Sequence, residues 1–386
     1  MTAIPLDDLP VVDNHCHPID PATVEVTDFS LWRRLFTESP SSAVADRDVP
    51  RSAAYRRLMS RTAAQLGVEA TEEAVLAARR ELGVARLTER LFADARIGAV
   101  VVDGGYPAVP GALGAAELAE LTGCGAVGLL RLETTFAGMV AENASLDALV
   151  DAVDARAAAL RDDGWAGVKS IAAYRTGLDI RRWDRHDVEA AFSAARREAS
   201  ERGAVRLGHR PLLEHLLHVT FRHAAAQELP VQFHVGYGDP EVDLRAATPL
   251  HLRAILEDPA YRAMPVVLLH GCWPYTREGA YLAAVYPNAY LDVSYGIPLL
   301  SLGELRAVTR VALGAAPWSK VMYSSDGSRA PELHWIGAHD GRASLAHALA
   351  ELVDDGELAG PDEARDVAAL ILSGTASRLY GVAVGE

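Results

Sequence analysis

The sequence predicts an α/β fold, a (β/α)8 barrel of the TIM type with a helical insertion after its first strand. Three observations predict it. Eight short runs along the 386 residues are continuously apolar or nearly so, as suits parallel strands buried on both faces. Between them lie stretches rich in Ala, Arg, Glu and Leu, with apolar residues three and four apart as on one face of a helix. No G-x-G-x-x-G or G-x-x-x-x-G-K-[ST] follows any of the runs, which disfavours the doubly wound open sheet, the other architecture of alternating strands and helices.

In chain order, strands are expected at Val11–His15, Ala99–Asp103, Ala126–Leu132, Ala166–Ile171, Pro230–His234, Pro265–His270, Ala289–Val293 and Val321–Ser325. Ala141–Asp162 and Asp187–Ala204 read as helices. Two connections are too long for one crossover helix. Between His17 and Ile97 lie 79 residues. There Thr71 reads as an N-cap, with Glu72 and Glu73 in the first turn favoured by the helix dipole, and a helix running to about Ala95. Arg51–Leu66 reads as a second helix. The segment at about 23–95 is thus a helical insertion at the barrel mouth, part lid and part contact for a homodimer. Ala172 to Leu229 is expected to hold two further helices. No linker or internal repeat divides the chain, so residues 1–386 are expected to form a single domain, a length that α/β barrels routinely reach.

Composition narrows the function. Acids outnumber bases 52 to 37, a net charge of −15 with no basic stretch to offset it, which argues against nucleic acid and anionic membranes as partners. No apolar run approaches the roughly 18 residues of a membrane span, and the N-terminus has no basic and apolar leader. Three cysteines, Cys16, Cys124 and Cys272, suit a reducing cytoplasm better than a disulfide framework. Only two of the basic residues are lysines, Lys169 and Lys320. A GC-rich genome accounts for that bias, but a lysine that survives it is a candidate for amine chemistry that arginine cannot supply.

The strongest chemical signal is Val11-Val12-Asp13-Asn14-His15-Cys16-His17-Pro18. Residues two apart on a strand share a face, so His15 and His17 point the same way at the strand's end and Cys16 points into the wall. Two neutral imidazoles side by side are a ready pair of metal ligands. Three other strands end in ligand types: His234 closes the fifth, His270 the sixth and Asp326 follows the eighth. In a (β/α)8 barrel the C-terminal strand ends converge on one site. Lys169 lies within the fourth strand. It is open to three readings: a carbamate that bridges two metals, an ammonium that binds a substrate carboxylate, or a packed stem whose head pairs with a carboxylate. Tyr174 and Arg175 follow the fourth strand and suit a carboxylate clamp. Trp273, Tyr275 and Arg277 follow the sixth and suit a pocket wall. Glu332 and His334 reach the rim on one reading. His215 and His218, three apart on a helix, allow a second metal site, with a solvated helix face as the alternative.

The set His15/His17, Lys169, His234, His270 and Asp326 resembles the amidohydrolase superfamily of metal-dependent hydrolases. Several stretches are similar to the amidohydrolase modules fused ahead of glutamine-synthetase-like domains: Val168–Leu178, Gln232–Asp239, His270–Glu278, Tyr323–Gly327 and Leu372–Tyr380, the last with Thr375 where the group has Asn. No synthetase-like domain is expected within these 386 residues. The resemblance covers roughly Pro10 to Tyr380. It implies one or two divalent ions, zinc foremost and manganese, iron or nickel as alternatives, held by His15, His17, His234, His270, Lys169 and Asp326. It also implies Asp326, His270 and Lys169 as catalytic residues. The expected reaction is hydrolysis of an amide-like C–N bond of a small carboxylate-bearing molecule by metal-activated water. The alternatives are a non-oxidative, metal-dependent decarboxylase of an unsaturated or aromatic acid, and a metal-dependent binding protein without catalysis.

Overall fold

The computed structural model describes residues 2–385. Eight strands occur where the sequence places them: β1 Val11–Cys16, β2 Ile97–Asp103, β3 Gly125–Arg131, β4 Trp165–Ser170, β5 Val231–Phe233, β6 Val266–Leu268, β7 Ala289–Ser294 and β8 Val321–Ser324. They form one sheet in the order β1 to β8. Sequence order with parallel pairing is the strand arrangement of a (β/α)8 barrel. The helices in chain order are α1 Phe29–Arg34, α2 Ser42–Arg47, α3 Ala53–Leu66, α4 Glu72–Asp94, α5 Ala115–Thr122, α6 Leu132–Glu142, α7 Leu146–Ala158, α8 Arg185–Arg202 and α9 Arg210–Ala226. They continue with α10 Arg253–Glu257, α11 Thr276–Val285, α12 Leu302–Ala315, α13 Pro331–Asp354, α14 Pro361–Ala369 and α15 Thr375–Tyr380.

The chain gathers into two compact units. The first takes everything up to Val127, the short segment Gly238–Pro240 and everything from Asp292 on; the second takes Gly128–Tyr237 and Glu241–Leu291. The boundary falls inside β3 and inside β7.

In the first unit, β1 and β2 are buried almost throughout, as their unbroken Val and Ala runs require. The insertion is helical, α1 to α4. Thr71 caps α4 by accepting the Ala74 amide at 3.2 Å, as the sequence indicated. Gly83, with φ +73 and ψ 164, breaks the helical path within α4; a side chain there would strain that conformation. The insertion is anchored by Arg79, fully buried, which pairs with Glu332 of α13 and lies 4.3 Å from the centre of the Trp32 ring. Asp340 of α13 takes Arg57 and Arg61 of α3, each at 2.8 Å.

In the second unit, β4, β5 and β6 pair in register, Val168 with Val231 and Val231 with Val266. The expected helix Ala141–Asp162 is two helices. The break falls at Asn143 to Ser145, where the Ser145 hydroxyl caps α7 by accepting the Ala148 amide at 3.2 Å. A serine that bonds its neighbours' backbone favours a helix start over a helix interior. The long fourth connection holds two helices, α8 and α9, as expected.

Candidate active site

The first unit assembles a donor trio around β1. His15 and His17 lie on one side of the strand, their rings edge to face with centres 4.9 Å apart. Asp326, just past β8, presents Oδ1 at 3.4 Å from His15 Nε2 and 3.6 Å from His17 Nε2. One ligand atom from each residue lies within 4.8 Å of the other two. His17 Nδ1 sits 3.2 Å from the Asp103 carbonyl oxygen, so Nδ1 carries the proton and Nε2 presents its lone pair. A lone pair facing a carboxylate oxygen is repulsive unless a proton or a cation lies between them. The trio therefore fits a divalent metal, and its two nitrogens and one oxygen suit zinc, with manganese, iron or nickel also accommodated.

Asp326 is held in place by a clamp that the sequence did not announce. Its backbone sits in the left-handed region at φ +54, a conformation that costs a non-glycine residue about 1–3 kcal/mol. The Asp326 amide donates to the His15 carbonyl at 3.0 Å, and the His17 amide to the Gly327 carbonyl at 2.8 Å. Asp13 accepts the Ser325 amide at 2.8 Å and also the Ser325 hydroxyl, whose oxygen takes the Gly327 amide at 2.8 Å. A Cβ at residue 327 would stand 2.7 Å from His334 Cγ, so only glycine fits there. Cys16 is turned into the wall, Sγ 3.8 Å from the Val101 carbonyl, and burial drives its thiol pKa well up. The expectation that Glu332 and His334 reach the rim is not met. Both are fully buried, Glu332 against Arg79 and His334 with Nδ1 3.8 Å from Asp13 Oδ2.

The second unit brings together a different set. His234 directly follows β5, and His270 sits in a single turn after β6 at φ +64. His234 Nε2 is 2.6 Å from the Tyr237 carbonyl and its Nδ1 is 3.0 Å from His270 Nε2. A carbonyl only accepts, so His234 Nε2 carries the proton, Nδ1 accepts and His270 Nε2 donates. Both His234 nitrogens are thus engaged, and a metal bound through His234 requires one of these bonds to open. Lys169 is 1% exposed on β4, in register with Arg131 of β3 and Gln232 of β5. The Tyr174 ring lies 4.5 Å from that of His234. Arg175 donates to the Tyr174 carbonyl at 3.2 Å, while its buried Nε has no partner among the described residues. Burial, and then the Arg206 charge, lower its pKa. The Trp273 carbonyl takes the Tyr237 amide at 2.8 Å. Arg277 is exposed in the first turn of α11. His218 is on no solvated face: it is buried, with Nδ1 2.7 Å from the Tyr261 hydroxyl and Nε2 3.1 Å from the Arg181 carbonyl.

The family model for amidohydrolase matches residues 12–382. The chain belongs to the amidohydrolase family. A stretch of 229 residues, 58% of the chain, is 33% identical to Protein fluG of Emericella nidulans. It covers 26% of that protein, so this chain matches about a quarter of its relative's length. Among solved structures, a Lactobacillus casei protein described as a metal-dependent hydrolase superposes with a TM-score of 0.86 at 28% identity, over 97% of this chain and 96% of the other. The uronate isomerase of Thermotoga maritima shares the fold, with a TM-score of 0.64 at 13% identity over 97% and 95% of the two chains.

Two further carboxylates in this amidohydrolase escaped the sequence reading. Glu38, in the loop after α1, is pushed up to about 7 by burial and by the charges of Asp326 and Asp239; a cation at Asp326 acts in the opposite direction. Nothing in Thr37-Glu38-Ser39-Pro40 distinguishes it from a surface turn. Glu133 of α6 is buried, accepting the Ser170 hydroxyl at 2.7 Å and the Ile171 amide at 2.9 Å, and burial raises its pKa. It fixes the end of the strand that carries Lys169.

Proposed function

We propose that this amidohydrolase cleaves an amide-like C–N bond of a small carboxylate-bearing molecule with the help of a divalent metal, zinc foremost, held by His15, His17 and Asp326. The observation that carries the reading is the trio itself, two imidazole nitrogens and a carboxylate oxygen within 4.8 Å of one another. The 28% identity to a protein described as a metal-dependent hydrolase supports it. A bound divalent cation lowers the pKa of a water and polarises a carbonyl. Asp326 takes the proton of the attacking water and returns it to the leaving nitrogen. His270 polarises the scissile group in this reading, which requires its Nε2–H to turn from His234 Nδ1 to the substrate. Tyr174 and Arg175 bind the substrate carboxylate, and the unsatisfied Nε of Arg175 supports that role. Trp273 and Arg277 are the remaining residues proposed to bind substrate.

Lys169 divides two versions of the site. As an ammonium it binds substrate beside a single metal; as a carbamate it bridges a second metal held by His234 and His270. The engaged state of both His234 nitrogens favours the single-metal version. The proposal also takes the chain as one cytoplasmic barrel that forms a homodimer.

The deciding experiment is elemental analysis of the purified protein, followed by incubation of the metal-loaded form with a panel of N-acyl amino acids and amides of dicarboxylic acids. About one zinc per chain and release of an amine are expected. Carbon dioxide release from unsaturated or aromatic acids, with no amine from any amide, identifies a decarboxylase instead. Active protein without stoichiometric metal ends the proposal.

A further inference from the structure

Arg329 lies three residues beyond Asp326, and the chain holds it there at a cost. Its backbone is left-handed at φ +61, a conformation that disfavours a long side chain. Two backbone bonds impose it: the Arg329 amide donates to the Pro18 carbonyl at 3.0 Å, and its own carbonyl takes the Asp20 amide at 2.8 Å. Arg329 is thereby tied to the segment that directly follows His17.

Among the described residues the guanidinium has one hydrogen-bond partner. Nη2 donates to the Tyr106 hydroxyl at 3.1 Å, and the guanidinium carbon is 5.1 Å from the centre of the Tyr106 ring. That ring stands edge to face with His17, centres 5.7 Å apart. The guanidinium is thus one aromatic ring away from the proposed metal trio. Elsewhere in the first unit, Arg33, Arg57, Arg61, Arg79 and Arg365 each pair with a carboxylate. Among the described residues no carboxylate lies within ion-pair distance of Arg329. Yet this neighbourhood is rich in acids, with Asp103 beside His17 and Glu38 within the field of Asp326. Within that acidic field a guanidinium without an acid partner offers an anionic group of the substrate a point of attachment.

We propose that Arg329, steadied by Tyr106, is a substrate-binding residue that receives a carboxylate of the substrate beside His17. The planar fork suits a planar carboxylate, which it can bind through two parallel N–H···O bonds. The inference rests on the metal-centre reading above and adds to it a specificity determinant on the β8 side.

The test uses zinc-loaded protein and hydroxamates, which chelate zinc. Acetohydroxamate, with no charged tail, is compared calorimetrically with the monohydroxamates of succinic, glutaric and adipic acid. Wild type should bind at least one carboxylate-bearing probe about tenfold more tightly than acetohydroxamate. Arg329→Gln should lose that preference and bind acetohydroxamate as wild type does. Arg329→Lys, which keeps the charge without the fork, should retain part of it and serves as the measure if the Gln variant fails to fold by circular dichroism. Tyr106→Phe should weaken the preference by a few-fold. Persistence of the preference in Arg329→Gln, or a wild type that binds acetohydroxamate but shows no preference at any length, overturns the role of Arg329 and leaves the metal centre standing. If no hydroxamate binds the zinc-loaded wild type, the metal-centre reading falls and takes the inference with it.

Discussion

The histidines of the two units sit in opposite chemical situations. In the first unit His15 and His17 face a carboxylate oxygen at 3.4 and 3.6 Å, an arrangement that a shared proton or a cation makes favourable. In the second, His234 and His270 satisfy each other at 3.0 Å, and the Tyr237 carbonyl completes the pair. The first strand end gathers two imidazoles and an acid, the donor set on which the proposed metal centre rests. The second links its two imidazoles by a hydrogen bond. The two ends also differ in what fixes them. Asp326 is clamped through Asp13, Ser325 and the backbone of β1, whereas at the end of β4 the carboxylate of Glu133 takes the Ser170 hydroxyl and the Ile171 amide and the Ser170 carbonyl takes the His234 amide.

The largest expected effect separates the two pairs directly. His15→Ala and Asp326→Ala should each abolish stoichiometric metal and activity, while His234→Gln should keep the metal and lose only turnover. Elemental analysis beside a rate assay reads both. Loss of metal in His234→Gln would erase the contrast between the two histidine pairs.

Lys169 gives the next largest effect. Lys169→Ala should lose activity. Partial rescue by a short-chain carboxylate or bicarbonate, together with a second equivalent of metal in wild type, would establish the carbamate and extend metal chemistry to the second unit. Substantial activity in Lys169→Arg with one metal per chain would confine the metal to the first.

The clamp is the third target. Asp13→Ala strands the buried Ser325 amide, and leaving a buried donor unsatisfied costs about 1–3 kcal/mol. Metal affinity should also fall by about 10–100-fold because Asp326 is no longer held. Urea unfolding and metal titration check the two parts independently.

A smaller effect concerns His218. Burial, and secondarily the Arg182 charge, push its pKa down to about 4 from an ordinary 6.5. The folded state therefore favours the neutral ring. The stability this contributes is present above about pH 6.5 and is lost as pH falls toward 4, because the unfolded chain takes the proton first. His218→Gln should flatten the fall in melting temperature between pH 6.5 and 4 relative to wild type. An unchanged slope would assign the acid sensitivity of the second unit elsewhere. Smallest of all, Cys16→Ser should leave the metal in place, since its Sγ faces Val101 and not the trio.

Much of this architecture was legible in the sequence because it is written in short-range patterns. Continuous apolar runs marked all eight strands, and the alternation of β1 put His15 and His17 on one side with Cys16 turned away. Thr71 followed by Glu72 and Glu73 marked the start of α4. The apolar spacing on either side of Ser145 continued smoothly, so one helix was read where a serine cap makes two. Strand-end position also marked Asp326, His234 and His270 as chemical. What those patterns did not carry was the partner of each group. Which groups His234 hydrogen-bonds, whether Glu332 meets solvent or Arg79, and whether an arginine such as Arg329 finds an acid all depend on residues far away in the chain. Hydrogen bonds and ion pairs are set by distances of a few ångströms between such residues, and the backbone turns that bring them together are fixed by packing. The sequence by itself thus determined the barrel, its strand ends and the kinds of ligand they bear. The tertiary structure decided which of them face a common point, which neutralise each other, and that Asp13 and Ser325 hold Asp326 in its left-handed turn.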